Sequence, residues 1–270
     1  ATAVYAHRVG IPVTLVLFPE PVTPAVESTL CIERAIGAEL RFTTRMETVP
    51  LAVVAARAAY RNEQLVVIPP GGSNPIGALG YVDAALELAE QIAAGLCPVP
   101  RAVYVAGGTL GTAAGLAVGF ALTGLETTVK ATRVTSTIVS NERVLRRLIR
   151  GVVTLLAEAG VPAPPVKDVL RRVELLHDYI GPGYAVETSD GRAAMRTFAA
   201  AGLTLDPTYT AKTAAAFLAA AKAARAGEPG PLLYWHTISA TMPVHLAGDT
   251  GVDALPPPFQ RYLSRGHTPH

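Results

Sequence analysis

Residues 103–119 read VYVAGGTLGTAAGLAVG, an apolar run that breaks into glycine and threonine and then resumes with helical character. A strand that enters glycines and then a helix N-terminus is an anion site. The first helical N–H groups lack intrahelical partners, the helix dipole favours negative charge, and threonine hydroxyls add donors. Spacing narrows the ligand. Dinucleotide binding wants Gly-x-Gly-x-x-Gly and an acidic residue about twenty positions further on, but the next strand ends in KATRVTS, without a carboxylate. No Gly-Lys-Ser/Thr follows to cradle a nucleoside triphosphate. What remains is a single phosphate monoester, or glycines that serve only close helix–strand packing.

Other reactive residue types exclude more than they suggest. His7, His177, His236 and His245 are scattered, with no carboxylate pair at metal-ligand spacing. The segment ISATMP (238–243) lacks the glycine-flanked serine of a hydrolase elbow. Cys31 and Cys97 have neither metal spacing nor a disulfide framework, and read as buried free thiols of a reducing, cytoplasmic protein. A formal charge of +2 and no Lys/Arg block argue against nucleic acid as a partner. Residues 102–125 carry no charge, but glycine and threonine punctuate them as strand, loop and helix, so no membrane span is expected.

The chain of 270 residues, half of them hydrophobic, is long enough to bury a large core. Apolar runs alternate with helical stretches. VTLVLF (13–18), ELRFTT, LVVIPP (65–70), AVYVA, TTVKATRVTS, VELLHDY and PLLYWHT read as strands. Between them lie helices from about Pro24 to Ile36, over VPLAVVAARAAYR, over NPIGALGYVDAALELAEQIAAG, after the glycine loop, from Ser140 or Asn141 to Gly160, near 190–201, and over YTAKTAAAFLAAAKAARAG. Such alternation implies an α/β chain with parallel sheets covered on both faces. The tail LPPPFQRYLSRGHTPH reads as a poorly ordered surface segment.

Four segments occur in order: PPGGSNPIGALGYVDAALEL (69–88), GTLGTAAGLAVG (108–119), GPGY (181–184) and LDPTYTAKT (205–213). Together they resemble the D-cysteine desulfhydrase and aminocyclopropane-carboxylate deaminase family, pyridoxal-phosphate enzymes of fold type II (the tryptophan-synthase-β fold), from Ala1 to about Thr237. The resemblance implies two α/β domains of three-layer type. Residues 1–70 would be the remainder of the small domain, 71–255 the large cofactor-binding domain and 256–270 a tail. It also implies that Gly108, Thr109, Leu110, Gly111 and Thr112 wrap the cofactor phosphate, with Leu110 where many relatives carry glycine. Thr210 would face the pyridine nitrogen. A neutral hydroxyl there gives a weaker electron sink than an acid, which favours β-elimination over ring opening. Tyr184 and Tyr209 would line the substrate side and orient a carboxylate or lend a proton. The implied substrate is a small amino acid, and the implied assembly a homodimer.

Three departures qualify the resemblance. Ile238 and Ser239 stand where relatives commonly have two glycines, and Ala201 replaces a glutamate. The third is an absence. The family holds its cofactor as a Schiff base on an N-terminal lysine, followed by Ser-Asn-His and then a helix resembling ATAVYAHRVG. This chain reads as starting within that helix, which nothing caps. Its four lysines, Lys130, Lys167, Lys212 and Lys222, do not match the position and read as solvated side chains. The sequence therefore predicts an incomplete, inactive polypeptide. Two alternatives remain: a non-catalytic cofactor- or anion-binding relative, and a nucleotide-binding oxidoreductase, which the missing ribose carboxylate disfavours.

Overall fold

A computed structural model describes residues 1–60, 64–225, 230–238 and 242–266. In chain order its elements are α1 (Thr2–Arg8), β1 (Thr14–Leu17), α2 (Pro24–Ala35), β2 (Glu39–Phe42) and α3 (Val49–Ala58). These are followed by α4 (Pro75–Ala93), β3 (Ala102–Gly107), α5 (Gly111–Thr123), β4 (Thr128–Arg133) and α6 (Glu142–Glu158). The remainder is α7 (Val166–Leu170), β5 (Val173–Leu176), α8 (Ser189–Ala199), α9 (Thr210–Arg225), β6 (Leu232–Tyr234) and α10 (Pro257–Ser264). The chain divides into two compact units, residues 1–66 with 239–270, and residues 67–238.

In the larger unit four parallel strands run in the order β5-β4-β3-β6, with Val103 beside Val129 and Tyr104 beside Tyr234. Alternation along β3 builds three layers, because successive side chains leave opposite faces. Val103 and Val105 enter a core with Ala114, Phe120 and Ile149 of α5 and α6. Ala102 and Tyr104 enter another with Ala216 of α9. Burial on both faces explains why β3 reads as a continuous apolar run rather than a polar–apolar alternation.

Helices α4 and α5 touch closely, and glycine makes this possible. A Cβ on Gly115 would lie 2.4 Å from the Ala78 carbonyl oxygen, and one on Gly119 would lie 2.4 Å from the Ala85 Cβ. Gly115 and Gly119, the last two glycines of the quoted stretch, thus serve helix–helix packing, while Gly108 and Gly111 belong to the loop.

The smaller unit pairs β1 with β2 in parallel, Thr14 opposite Glu39 and Leu17 opposite Phe42. The tail differs from its sequence expectation. Residues 257–264 form α10, whose Phe259 and Tyr262 are buried, and Phe259 meets Phe42 edge-to-face at 5.1 Å between ring centroids. Prolines at a first turn favour helix initiation, and Phe259, Tyr262 and Leu263 fall on one helical face. The backbone N–H of Glu20 donates to the Tyr262 hydroxyl at 3.0 Å. Residues 65–70 also differ: LVVIPP forms no strand, and Val66 is 88% exposed. Strand-like composition is not sufficient without a neighbouring strand edge to take up the backbone groups.

Candidate active site

Strand β3 delivers the glycine loop, and the chain around β4 fixes it. Ser140 Oγ donates to the Gly107 carbonyl at 3.1 Å, and Thr135 Oγ1 donates to the Gly108 carbonyl at 2.8 Å. On the other side of these peptides, the backbone N–H groups of Gly108, Thr109, Leu110, Gly111 and Thr112 have no protein acceptor among the described residues. Five successive donors at the start of a 13-residue helix fit the oxygens of a phosphate.

Leu110 turns the loop into the helix with φ +67°, the left-handed conformation that glycine adopts without cost. A leucine there costs roughly 1–2 kcal/mol. Its side chain is 2% exposed and joins the core of α4, α5 and α6, which offsets that cost. The substitution for glycine therefore exchanges backbone ease for buried apolar area.

A second glycine-rich segment clasps the first. Gly71 has φ +66°, and a Cβ there would lie 2.4 Å from Thr109 Oγ1. Ser73 Oγ and Thr109 Oγ1 are 2.5 Å apart, and a Cβ on Gly111 would lie 2.6 Å from Ser73 Oγ. Asn74 then caps α4 by accepting from the Gly77 N–H at 2.7 Å. PPGGSN thus holds the threonine and glycine of the loop in place, a role its sequence alone does not reveal.

The DPTY segment closes over the same loop. A Cβ on Gly108 would lie 3.2 Å from Tyr209 Cε1, so the phenol packs on the bare glycine backbone. The Tyr184 and Tyr209 hydroxyls are 2.7 Å apart, with their rings edge-to-face at 6.0 Å. Tyr209 is held from below by Asp206. Its carboxylate accepts from the N–H groups of Thr208 at 2.9 Å, Tyr209 at 2.7 Å and Thr210 at 3.1 Å. It also accepts from Thr210 Oγ1 at 2.5 Å, while the Asp206 N–H donates back to that oxygen at 2.7 Å. Thr210 is buried, and Asp206 occupies its hydroxyl as both donor and acceptor.

Behind these residues, the Tyr234 hydroxyl donates to the Thr210 carbonyl at 2.9 Å, and burial raises that phenol above its ordinary pKa. His236 Nε2 lies 2.9 Å from the Thr204 carbonyl, which orients the ring as a donor there. Ser239, one of the two glycine replacements, lies outside the described residues. Among the described residues no cluster of His, Cys, Asp and Glu could hold a metal, and no helix is long and apolar enough to cross a membrane.

The lysines divide. Lys167 and Lys222 are exposed, as the sequence suggests. Lys130 pairs with Glu174 across the β4–β5 register. Lys212 is the correction: it is fully buried rather than solvated, and Nζ donates to the carbonyls of Ile180 at 2.7 Å and Gly183 at 2.8 Å. Burial pushes its ammonium below the ordinary lysine pKa. Ser73, Asp206 and Lys212 are the residues that motif reading misses. Asp206 carries a detectable signal, an Asp just before a helix start. The signal for Lys212 is a lone cation in an otherwise small and apolar stretch of helix.

Comparison with known proteins identifies the family. Residues 1–237 match the family described as pyridoxal-phosphate dependent enzyme. The D-cysteine desulfhydrase of Salmonella choleraesuis (strain SC-B67) is 34% identical over 252 residues, covering 87% of this chain and 71% of that relative. The D-cysteine desulfhydrase of Salmonella paratyphi C (strain RKS4594) is 37% identical over 195 residues, covering 69% of this chain and 54% of that relative. Among solved structures, an ACC deaminase homologue superposes with a TM-score of 0.69 at 26% identity, covering 98% of this chain and 74% of that one. A fungal L-serine ammonia-lyase from Rhizomucor miehei, with a TM-score of 0.55 and 17% identity over 91% of this chain and 76% of that one, shares the fold. These matches over a parallel three-layer α/β architecture settle the family: the chain is a member of the pyridoxal-phosphate dependent enzyme family, with the fold type II architecture and the cofactor of that family.

Proposed function

We propose that this chain supplies the phosphate-binding and substrate-side walls of a D-cysteine desulfhydrase-like enzyme. The reaction would remove the α-proton of a small amino acid and expel a β-leaving group such as hydrosulfide, and water would hydrolyse the resulting imine to keto acid and ammonia. The observation that carries the reading is the contact of Tyr209 with Gly108, which joins two motifs distant in sequence into one site.

Gly108, Thr109, Leu110, Gly111 and Thr112 would hold the phosphate through their backbone N–H groups. When bound, pyridoxal phosphate supplies an electron sink for loss of the α-proton. One of the Tyr184 and Tyr209 hydroxyls donates to the other, so the accepting phenol can in turn donate to a substrate carboxylate while its partner holds it in place. Thr210, already bonded to Asp206, offers the cofactor ring neither an acid nor a free hydroxyl proton, which supports elimination rather than ring opening. Lys130 pairs with Glu174, Lys212 with the Ile180 and Gly183 carbonyls, and Lys167 and Lys222 are exposed, so we assign the covalent hold on the cofactor aldehyde to none of these four.

The test joins to this chain an N-terminal segment with a lysine followed by Ser-Asn-His, as the family resemblance implies. Sulfide release from D-cysteine, with little ammonia from the cyclopropane amino acid, is the expected result. Ammonia from the cyclopropane substrate without sulfide from cysteine contradicts the reading.

A further inference from the structure

A fully buried lysine normally has a carboxylate partner, because an uncompensated ammonium is costly to remove from water. Lys212 has none among the described residues; its partners are the carbonyls of Ile180 and Gly183. Both carbonyls belong to the segment that carries Tyr184, one residue past Gly183. Lys212 also stands three residues after Tyr209 on the first turn of α9. One helix start therefore grips one loop twice, through the Lys212 ammonium on its backbone and through the Tyr209 hydroxyl on its tyrosine.

The loop needs such a grip. Gly181 has φ +65°, and Ala185, directly after Tyr184, has φ +59°, a left-handed conformation that alanine rarely adopts. An uncommon backbone state persists only when its surroundings over-determine it. Two charge-assisted hydrogen bonds from one ammonium, each stronger than a neutral bond, provide that constraint.

We propose that Lys212 is a positioning residue: its ammonium acts as a built-in cation that folds residues 180–185 around two carbonyls and so sets the Tyr184 hydroxyl on Tyr209. Its relevance to substrate rests on the reading of the two tyrosines as the wall of the site. No water-borne cation can be exchanged at this position, because the charge is tethered to the same helix start that carries Tyr209.

The test compares amide hydrogen exchange in the 270-residue chain and in Lys212→Met, which keeps most of the side-chain volume and removes the charge. The expected result is about tenfold faster exchange in residues 180–185, with α9 and the thermal midpoint little changed. In Lys212→Ala, methylammonium should restore protection and tetramethylammonium, which has no N–H, should not. Unchanged exchange in Lys212→Met, or equal rescue by both cations, overturns the proposal. If Lys212→Met does not fold, the unmodified chain still decides. A slowly exchanging Lys212 ammonium with ¹⁵N couplings to the carbonyl carbons of Ile180 and Gly183 supports the role, and a freely exchanging amine without them overturns it. A loosened loop with unchanged affinity for pyridoxal phosphate and D-cysteine would leave Lys212 as the staple and instead remove the tyrosines from the site.

Discussion

Tyr184 and Tyr209, separated by 25 positions, meet hydroxyl to hydroxyl at 2.7 Å, and the second of them packs on Gly108 in the glycine loop after β3. In the proposed function the pair links the end of the site that would take phosphate to the face where substrate would lie. It predicts a measurable coupling. In a double-mutant cycle of Tyr184→Phe and Tyr209→Phe, each single change should cost about 0.5–1.5 kcal/mol, and the double change should cost less than their sum. Additive losses in chemical denaturation would show that the hydroxyls act independently.

Leu110 yields an unusual order of stabilities. Leu110→Gly relieves the left-handed strain but gives up the buried side chain, while Leu110→Ala gives up the side chain and keeps the strain. Unfolding free energy should therefore fall from wild type to Leu110→Gly to Leu110→Ala, the last by about 2–5 kcal/mol. Elsewhere on a helix alanine outranks glycine, so an Ala-over-Gly order here would contradict the assigned backbone.

Gly115 has no comparable freedom. Its added Cβ would meet the Ala78 carbonyl at 2.4 Å and the Tyr81 Cβ at 2.6 Å, both on α4. Gly115→Ala should destabilise the larger unit by about 1–3 kcal/mol through overpacking, with a lowered thermal midpoint. An unchanged midpoint would mean that α4 and α5 sit further apart.

Much of this was legible in the sequence, for identifiable reasons. Strand β3 and helix α5 announce themselves because a doubly buried strand is continuously apolar and the glycines mark a sharp change of conformation. The phosphate loop and DPTY can be quoted as segments, but their contact cannot, since nothing local places Tyr209 on Gly108. The burial of Lys212 is illegible for the same reason: its partners are carbonyls about thirty positions earlier, and carbonyls leave no trace in residue type. Residues 65–70 show the converse error, where composition suggested a strand and no neighbour was available to complete one.

Glu33 gives the smaller unit a pH dependence. Burial lifts its carboxyl from 4.5 to about 7, against the opposing pull of the amino terminus. The folded value lies above the unfolded one, so the protonated form favours the fold. Its contribution is complete below about pH 4.5 and is lost as pH rises through 7. Glu33→Gln should flatten the stability profile across that window and raise stability at pH 8. A profile identical to wild type would assign the dependence to another group.

In the proposed function this chain holds the phosphate end of the cofactor and supplies no lysine for its aldehyde end. The direct measurement is to add pyridoxal phosphate, reduce with borohydride, and map pyridoxyl-lysine by peptide mass spectrometry, with inorganic phosphate as competitor. The expected result is binding that inorganic phosphate displaces and no stoichiometric adduct at Lys130, Lys167, Lys212 or Lys222. A stoichiometric, phosphate-sensitive adduct on one of those lysines, or binding that phosphate leaves untouched, would contradict it.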